Sequence, residues 1–278
     1  CARNLACSGA MPLGVTDNLN FGNPHNPELF YQLKESVRGL AEACRLFDTP
    51  VTGGNCSLYN QNPAGPIDPA PTIAMVGVIE KPEHITTQWF KDEGDAIILL
   101  GEPVDAADPL QGLGGSAYLQ VRRQQKAGTP PRANLDVAKV LHTTLLGLIQ
   151  SGVVKSAHDC AEGGLAVCLA ESCISQQTAR ETPRLIGAQI DLSMFKDAHL
   201  EALLFGETQN RVVISTKAID AVKAVERAKL LGVPAWRIGT VGGDALRIKT
   251  AGGEFSSPVA ALHDLWWNAI ARMMGDGR

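Results

Sequence analysis

Thr16-Asp17-Asn18-Leu19-Asn20-Phe21-Gly22-Asn23-Pro24, with its downstream counterpart Thr52-Gly53-Gly54-Asn55-Cys56-Ser57-Leu58-Tyr59-Asn60, decides how this chain is read. Each stretch crowds carboxylate, carboxamide and hydroxyl groups onto glycine-bearing backbone beside an apolar run. Glycine lets backbone approach a ligand closely, and Asp, Asn and Ser oxygens suit a hard cation such as Mg²⁺ that shares its shell with phosphate. Taken singly, each stretch is an ordinary Asx-rich turn. Placed on either side of one well-formed helix, the two imply a phosphate and metal site.

That helix is directly legible. Asn26 suits the N-cap, Pro27 the first helical position and Glu28 the positive end of the dipole. Leu29, Leu33, Val37, Leu40, Cys44 and Phe47 recur at spacings of three or four, which is one apolar face. Asp48-Thr49-Pro50 stops it, because proline disfavours helical geometry in the residue before it. Val51 opens the next strand. A loop–helix–strand–loop order of this kind brings both polar stretches to one edge of a sheet.

The rest of the chain alternates strands and helices, which argues for α+β or α/β layers. Residues 2–9 read as a small-residue helix and 71–80 as a strand. Strands are expected at 95–101, 154–158, 187–192, 211–216 and 244–249, and helices at 134–151, 163–175, 217–231 and 257–274. Gly112–Ser116 is a flexible loop, and segments 128–134 and 177–184 are exposed loops. The pattern changes from Glu93 onward, and the chain divides into a first domain over 1–88 and a second over 89–278.

Composition excludes several classes. A net charge of −4 without a basic run leaves no electrostatic footprint for nucleic acid. No apolar stretch approaches the ~20 residues of a membrane span. The seven cysteines form no C-x-x-C pair, which favours a reduced, cytoplasmic setting over a disulfide scaffold or zinc site. Cys56 is read as structural, since no His motif is placed to serve as its base. His158 is read as a hydrogen-bonding residue.

The two polar stretches are joined by Ser156-Ala157-His158-Asp159-Cys160-Ala161-Glu162-Gly163-Gly164-Leu165-Ala166 and Leu204-Phe205-Gly206-Glu207-Thr208-Gln209-Asn210-Arg211-Val212. Together, in this order, they resemble phosphoribosylformylglycinamidine synthase, in the short synthetase subunit of its multi-subunit form. The Leu-Asn-Phe-Gly-Asn-Pro and Gly-Gly-Asn-x-Ser-Leu-Tyr strings separate it from sister families of the same fold, among them aminoimidazole ribonucleotide synthase, selenophosphate synthetase, thiamine-monophosphate kinase and the hydrogenase-maturation dehydratase. The resemblance implies an AIR-synthase-like two-domain unit. It corresponds to the second of two tandem copies without that copy's opening strands, so the chain is expected to be a fragment with a truncated first domain.

By the same resemblance, Asp17 and Gly54 bind ATP, Asn55 is a magnesium ligand and Ser57 contacts formylglycinamide ribonucleotide. Asp159, Glu207, Thr208 and Gln209 fall at a pseudo-symmetric second site. The implied reaction is a ligase step of purine biosynthesis. ATP activates the formamide oxygen as an iminophosphate, and ammonia from glutamine displaces phosphate to give the amidine. The catalytic base lies outside these residues. Implied partners are a glutaminase subunit and a small adaptor subunit. Two alternatives stand beside this reading: a sister-family ATP-dependent kinase or synthetase, and a non-catalytic scaffold. Alone, the chain is expected to be inactive and to self-associate into a homo-oligomer through residues 1–88, above all strands 50–59 and 71–80.

Overall fold

Gly9 sets the first turn. Its φ is +86°, and a Cβ there would lie 2.0 Å from the His84 carbonyl oxygen, so no side chain fits. It carries helix α1 (Ala2–Cys7) directly into strand β1 (Met11–Asn20). The computed structural model describes residues 1–102, 104–179 and 182–275. Helix α2 (Pro27–Phe47) follows with Asn26 Oδ1 accepting the Glu28 N–H at 2.9 Å, and ends on Asp48 in the left-handed conformation. Strand β2 (Val51–Ser57), the small hairpin of β3 (Gln61–Asn62) and β4 (Gly65–Pro66), and strand β5 (Ala70–Val78) complete this part. Its main sheet has the order β2-β1-β5, with β2 parallel and β5 antiparallel to the central β1.

The two polar stretches therefore lie mostly in strands rather than in loops. Thr16–Asn20 belongs to β1 and Thr52–Ser57 to β2, in the register Asp17↔Gly54, Asn18↔Asn55 and Asn20↔Ser57. The ladder satisfies backbone groups that a loop would have to offer to water, and this outweighs the weak strand preference of Asn and Gly.

The second part is built on strands β6 (Ala96–Gly101), β7 (Val154–Asp159), β10 (Ala188–Asp191), β11 (Arg211–Thr216), β12 (Ala235–Val241), β13 (Ala245–Thr250) and β14 (Gly253–Pro258). Strands β8 (Gln176–Ala179) and β9 (Thr182–Arg184) form a separate hairpin. The helices are α3 (Ala117–Arg123), α4 (Leu135–Gln150), α5 (Gly164–Ile174), α6 (Leu200–Phe205), α7 (Ala221–Leu230), α8 (Val259–Trp267) and α9 (Ala269–Met273). The sheet order is β14-β13-β10-β12-β6-β11-β7. Central β6 is buried throughout, and its alternation feeds two cores. Ile97 and Leu99 pack with Leu165 and Leu169 of α5, whereas Ile98 and Leu100 pack with Leu141 and Leu145 of α4 and Ala224 of α7. This is a helix–sheet–helix sandwich within a mixed α/β protein.

Several elements differ from expectation. Residues 177–179 and 182–184, expected as an exposed loop, lie in the paired strands β8 and β9, and α3, α6, β12 and β14 have no clear sequence signal. In β12, Gly239 and Arg237 flank a register irregularity that hides the alternation. The helix expected over 217–231 begins only at Ala221, after a 3₁₀ turn. The C-terminal helix breaks at Asn268, whose Nδ2 donates to Asp264 Oδ1 at 2.7 Å.

Helices α1 and α2 both join the parts. Helix α1 packs against α4 and β7. At the end of α2, the Phe47 ring stacks on His142 of α4 with centroids 5.3 Å apart, while Lys139 Nζ donates to the Leu46 carbonyl at 2.9 Å.

Candidate functional site

Because β1 and β2 run parallel, their C-terminal ends meet at one edge, the usual ligand side of parallel strands. One face of this edge is polar: Asn18 and Asn20 of β1 lie beside Asn55 and Ser57 of β2, with Thr72 of β5 opposite Asn18. Asn55 Nδ2 donates to Asn18 Oδ1 at 3.2 Å, leaving the Asn55 carbonyl oxygen free of that contact. Ser57 Oγ donates to Asn60 Oδ1 at 3.2 Å, and Asn60 Nδ2 ties back to the carbonyls of Ser57 and Phe21. Asn55 is exposed, so this face is open to a ligand.

Asp17 is not on it. Side chains alternate across a strand, so Asp17 shares the opposite face with buried Val15 and Leu19 and lies over its register partner Gly54. A Cβ at Gly54 would come within 2.0 Å of Asp17 Oδ1 and 2.6 Å of the Asp17 carbonyl oxygen. The structure therefore brings Asp17 to Gly54 and Asn55 to Ser57, but separates the two pairs. Both pairs lie at the one edge that the sequence implies, but the two-residue period of the strand turns Asp17 and Asn55 to opposite faces of the sheet. The donors on the open face, the carboxamides of Asn18 and Asn55 and the Ser57 hydroxyl, are hard neutral oxygens. They fit a Mg²⁺ ion that takes its anionic ligands from phosphate. Among the described residues, no three His, Cys, Asp or Glu side chains converge as a self-sufficient metal centre.

The second group of residues is engaged internally. Arg3 Nε donates to Asp159 Oδ2 at 3.0 Å, Nη1 to Gln209 Oε1 at 2.9 Å and Nη2 to the Cys160 carbonyl at 3.3 Å. Glu207 Oε1 accepts the backbone N–H groups of Ala117 and Gly163, both at 2.9 Å, and so closes the starts of α3 and α5. Thr208 and Gln209 line a cavity of about 690 Å³ together with Gly112, Gly114 and Asn134, and the buried Thr208 hydroxyl has no partner. His158 Nε2 lies 2.8 Å from Glu171 Oε2. Arg3 escaped the sequence reading. The available signal was a lone basic residue in an otherwise small and neutral helix. Asn18 and Asn20 stand inside the first polar stretch, but only the register shows that they share a face with Asn55.

Family models described as AIR synthase related protein match residues 1–79 (N-terminal domain) and 92–249 (C-terminal domain). The chain is 41% identical, over 99% of its length, to phosphoribosylformylglycinamidine synthase subunit PurL of Anaeromyxobacter sp. (strain K). It is 42% identical over 98% of its length to that of Synechococcus elongatus (strain ATCC 33912 / PCC 7942 / FACHB-805). It covers 35% of each, so it spans about a third of the length of these curated relatives. Among solved structures, T. maritima PurL complexed with FGAR superposes with a TM-score of 0.70 at 17% identity, over 94% of this chain and 41% of that one. T. maritima PurL complexed with ATP gives 0.68 at 18% identity, over 94% and 39%. Hydrogenase maturation protein HypE gives 0.66 at 17% identity, over 92% and 78%. At these identities the solved structures establish the shared fold. The sequence relatives, not the fold, set this chain nearer to PurL than to HypE.

Proposed function

The chain belongs to the AIR synthase related protein family, and on that footing we propose that it serves the ATP-dependent conversion of formylglycinamide ribonucleotide to its amidine, the C–N ligase step of purine biosynthesis. The observation that carries this reading is the polar face at the C-terminal ends of β1 and β2, set within 41% identity to PurL over 99% of the chain. In this reading residues 1–88 and 89–278 are the two domains. Asn55 holds Mg²⁺ and with it the phosphates of ATP, Ser57 contacts the ribonucleotide, and Asp17 with Gly54 meets ATP where it passes over the C-terminal ends of β1 and β2. Bound Mg²⁺ would supply charge neutralisation and orientation of the phosphates. The formamide oxygen takes the γ-phosphoryl group of ATP and ADP leaves. Ammonia then adds at the activated carbon and phosphate departs with that oxygen. The residues on this face bind and position rather than exchange protons, so proximity and electrostatics carry their contribution. A glutaminase subunit supplies the ammonia and a small adaptor subunit completes the assembly, in the cytoplasm. The seven free thiols and the lack of any described helix long and apolar enough to cross a membrane are consistent with that setting.

A second reading has its own support for residues 89–278. Asp159, Gln209 and Glu207 all spend polar atoms on internal partners, which favours a scaffold role for that unit. Titration with a non-hydrolysable ATP analogue and magnesium tests the proposal. The expected result is saturable, magnesium-dependent binding that Asn55→Ala and Asp17→Ala weaken and that Asp159→Asn leaves in place, and formylglycinamide ribonucleotide binding that Ser57→Ala weakens. Analogue binding indifferent to Asn55 and Asp17, or ribonucleotide binding indifferent to Ser57, overturns the assignment.

A further inference from the structure

Among the described residues Arg211 is the largest fully buried side chain, and its guanidinium faces no carboxylate. Its Nη2 donates to the Gly206 carbonyl, while Nε and Nη1 have no partner. A guanidinium keeps its charge, so a buried one requires an anion or further acceptors. The ionisable groups that favour this charge are the thiols of Cys160 and Cys168, with Arg3 opposing it. Cys160 follows β7, its N–H donating to the Arg211 carbonyl at 3.0 Å. Cys168 lies on α5, where its Sγ donates to the His158 carbonyl at 3.5 Å and faces the Cys160 thiol. The two thiols are not equivalent. The Cys168 thiol first, then the charges of Arg211 and Arg3, hold Cys160 below the usual thiol value against its burial. Burial pushes Cys168 well above that value. Cys160 is thus the nucleophile of the pair, and Cys168 keeps its proton. Cys173, the third thiol of this core, is pushed up to about 12 by burial alone.

We propose that Cys160 and Cys168 form an oxidisable dithiol, set beside the Arg211 guanidinium, which a hydroperoxide converts to a disulfide tying the end of β7 to α5. The Cys160 sulfur attacks one peroxide oxygen, the O–O bond breaks, and the second oxygen leaves as hydroxide, taking up a proton to become water. The Cys168 sulfur then attacks the resulting sulfenic acid. An S–S bond forms, the S–O bond breaks and a second water leaves with the Cys168 proton. The two thiols lose two electrons and the hydroperoxide gains them. Burial selects the oxidant: sulfurs in residues 1% and 2% exposed admit a small neutral peroxide and exclude a bulky disulfide reagent. In a reducing compartment such a bridge is transient and redox-sensing. The inference goes beyond the proposed synthetase role and does not rest on it, because the oxidation state is read without substrate or nucleotide.

Graded hydrogen peroxide on the native chain, followed by thiol blocking in denaturant and digestion after glutamate, tests it. Cleavage at Glu162 and Glu171 puts Cys160, Cys168 and Cys173 on separate peptides. The expected result is a Cys160–Cys168 cross-link that dithiothreitol reverses. Cys168→Ser should stop at a sulfenic acid on Cys160, trapped by dimedone, and Cys160→Ser should leave Cys168 a thiol at the same dose. Arg211→Met should form the cross-link several-fold more slowly than native, and Cys173→Ser at the native rate. Circular dichroism establishes the fold of each variant, and the two cysteine variants decide the pairing even where Arg211→Met does not fold. Three outcomes overturn the proposal: Cys160 and Cys168 remaining thiols up to the dose that unfolds the chain, a bridge to Cys7 or Cys173 in place of the expected one, or a folded Arg211→Met that cross-links at the native rate.

Discussion

The Asp17 carboxylate occupies the volume into which a side chain at Gly54 would project, its Oδ1 only 2.0 Å from where that Cβ would stand. The glycine and the acid are thus one feature: the absence of a side chain on β2 makes room for the carboxylate on β1. Gly54→Ala must displace Asp17, and because the Asp17 backbone oxygen would also lie 2.6 Å away, relaxation of the carboxylate alone cannot relieve the clash. We expect a loss of about 1–3 kcal/mol, the range for overpacking, with weaker nucleotide binding. Urea unfolding checks the first and analogue titration the second. A Gly54→Ala chain as stable as native would show that β1 and β2 separate freely.

Asn55 makes the opposite case. It is exposed and its one side-chain hydrogen bond among the described residues is to Asn18, so Asn55→Ala should change stability by no more than about 0.5 kcal/mol. In a synthetase of the relatives' length, the same change should raise the magnesium concentration needed for half-maximal rate. Identical magnesium titrations for the two enzymes would remove Asn55 from the metal.

His142 supplies a pH dependence. It is buried against Phe47 with neither ring nitrogen hydrogen-bonded, and burial, then the nearby charges of Arg3 and the chain's amino group, push its pKa down from 6.5 to about 4. The unfolded chain binds the proton more readily, so stability is intact above pH 6.5, falls as pH drops through the interval and is fully reduced below about 4. The shift corresponds to roughly 3 kcal/mol. His142→Phe retains a ring against Phe47 and removes the titration. Its urea midpoint should drop less than that of the native chain between pH 7 and pH 4. Parallel pH profiles would show that His142 is already solvated.

The face of the three-stranded sheet that carries Asn18 becomes apolar towards its other end, where Val76 is 67% exposed and Val78 48%. Exposed apolar surface on a sheet drives association. Light scattering should find the chain dimeric or larger, and Val76→Lys should shift it towards monomer. A native chain that is already a monodisperse monomer counts against this role for the face.

What the sequence disclosed depended on range. Helix α2 was legible to the residue, because Asn26, Pro27 and the Asp48-Thr49-Pro50 stop act on their immediate neighbours. The polar residues of the site were visible too, but not their sidedness. Whether Asp17 and Asn55 share a face depends on which residue of β2 stands opposite Asp17, and that register is a property of two strands joined only through the whole of α2. Arg3 was silent for a similar reason, its acceptors lying some 156 residues or more along the chain. Strand β12 was hidden by Gly239 and Arg237, which interrupt the alternation on which strand detection rests.

β2, which carries Asn55 and Ser57, has a neighbour on one side only. The strand presenting the candidate ligands is thus an edge strand, as β5 is on the other side, and any ligand it holds must also meet the entropy of stilling it. Affinity at this face is therefore adjustable from a distance: whatever lies along the free edge of β2, without touching Asn55 or the nucleotide, lowers the entropic cost of binding and tightens the site.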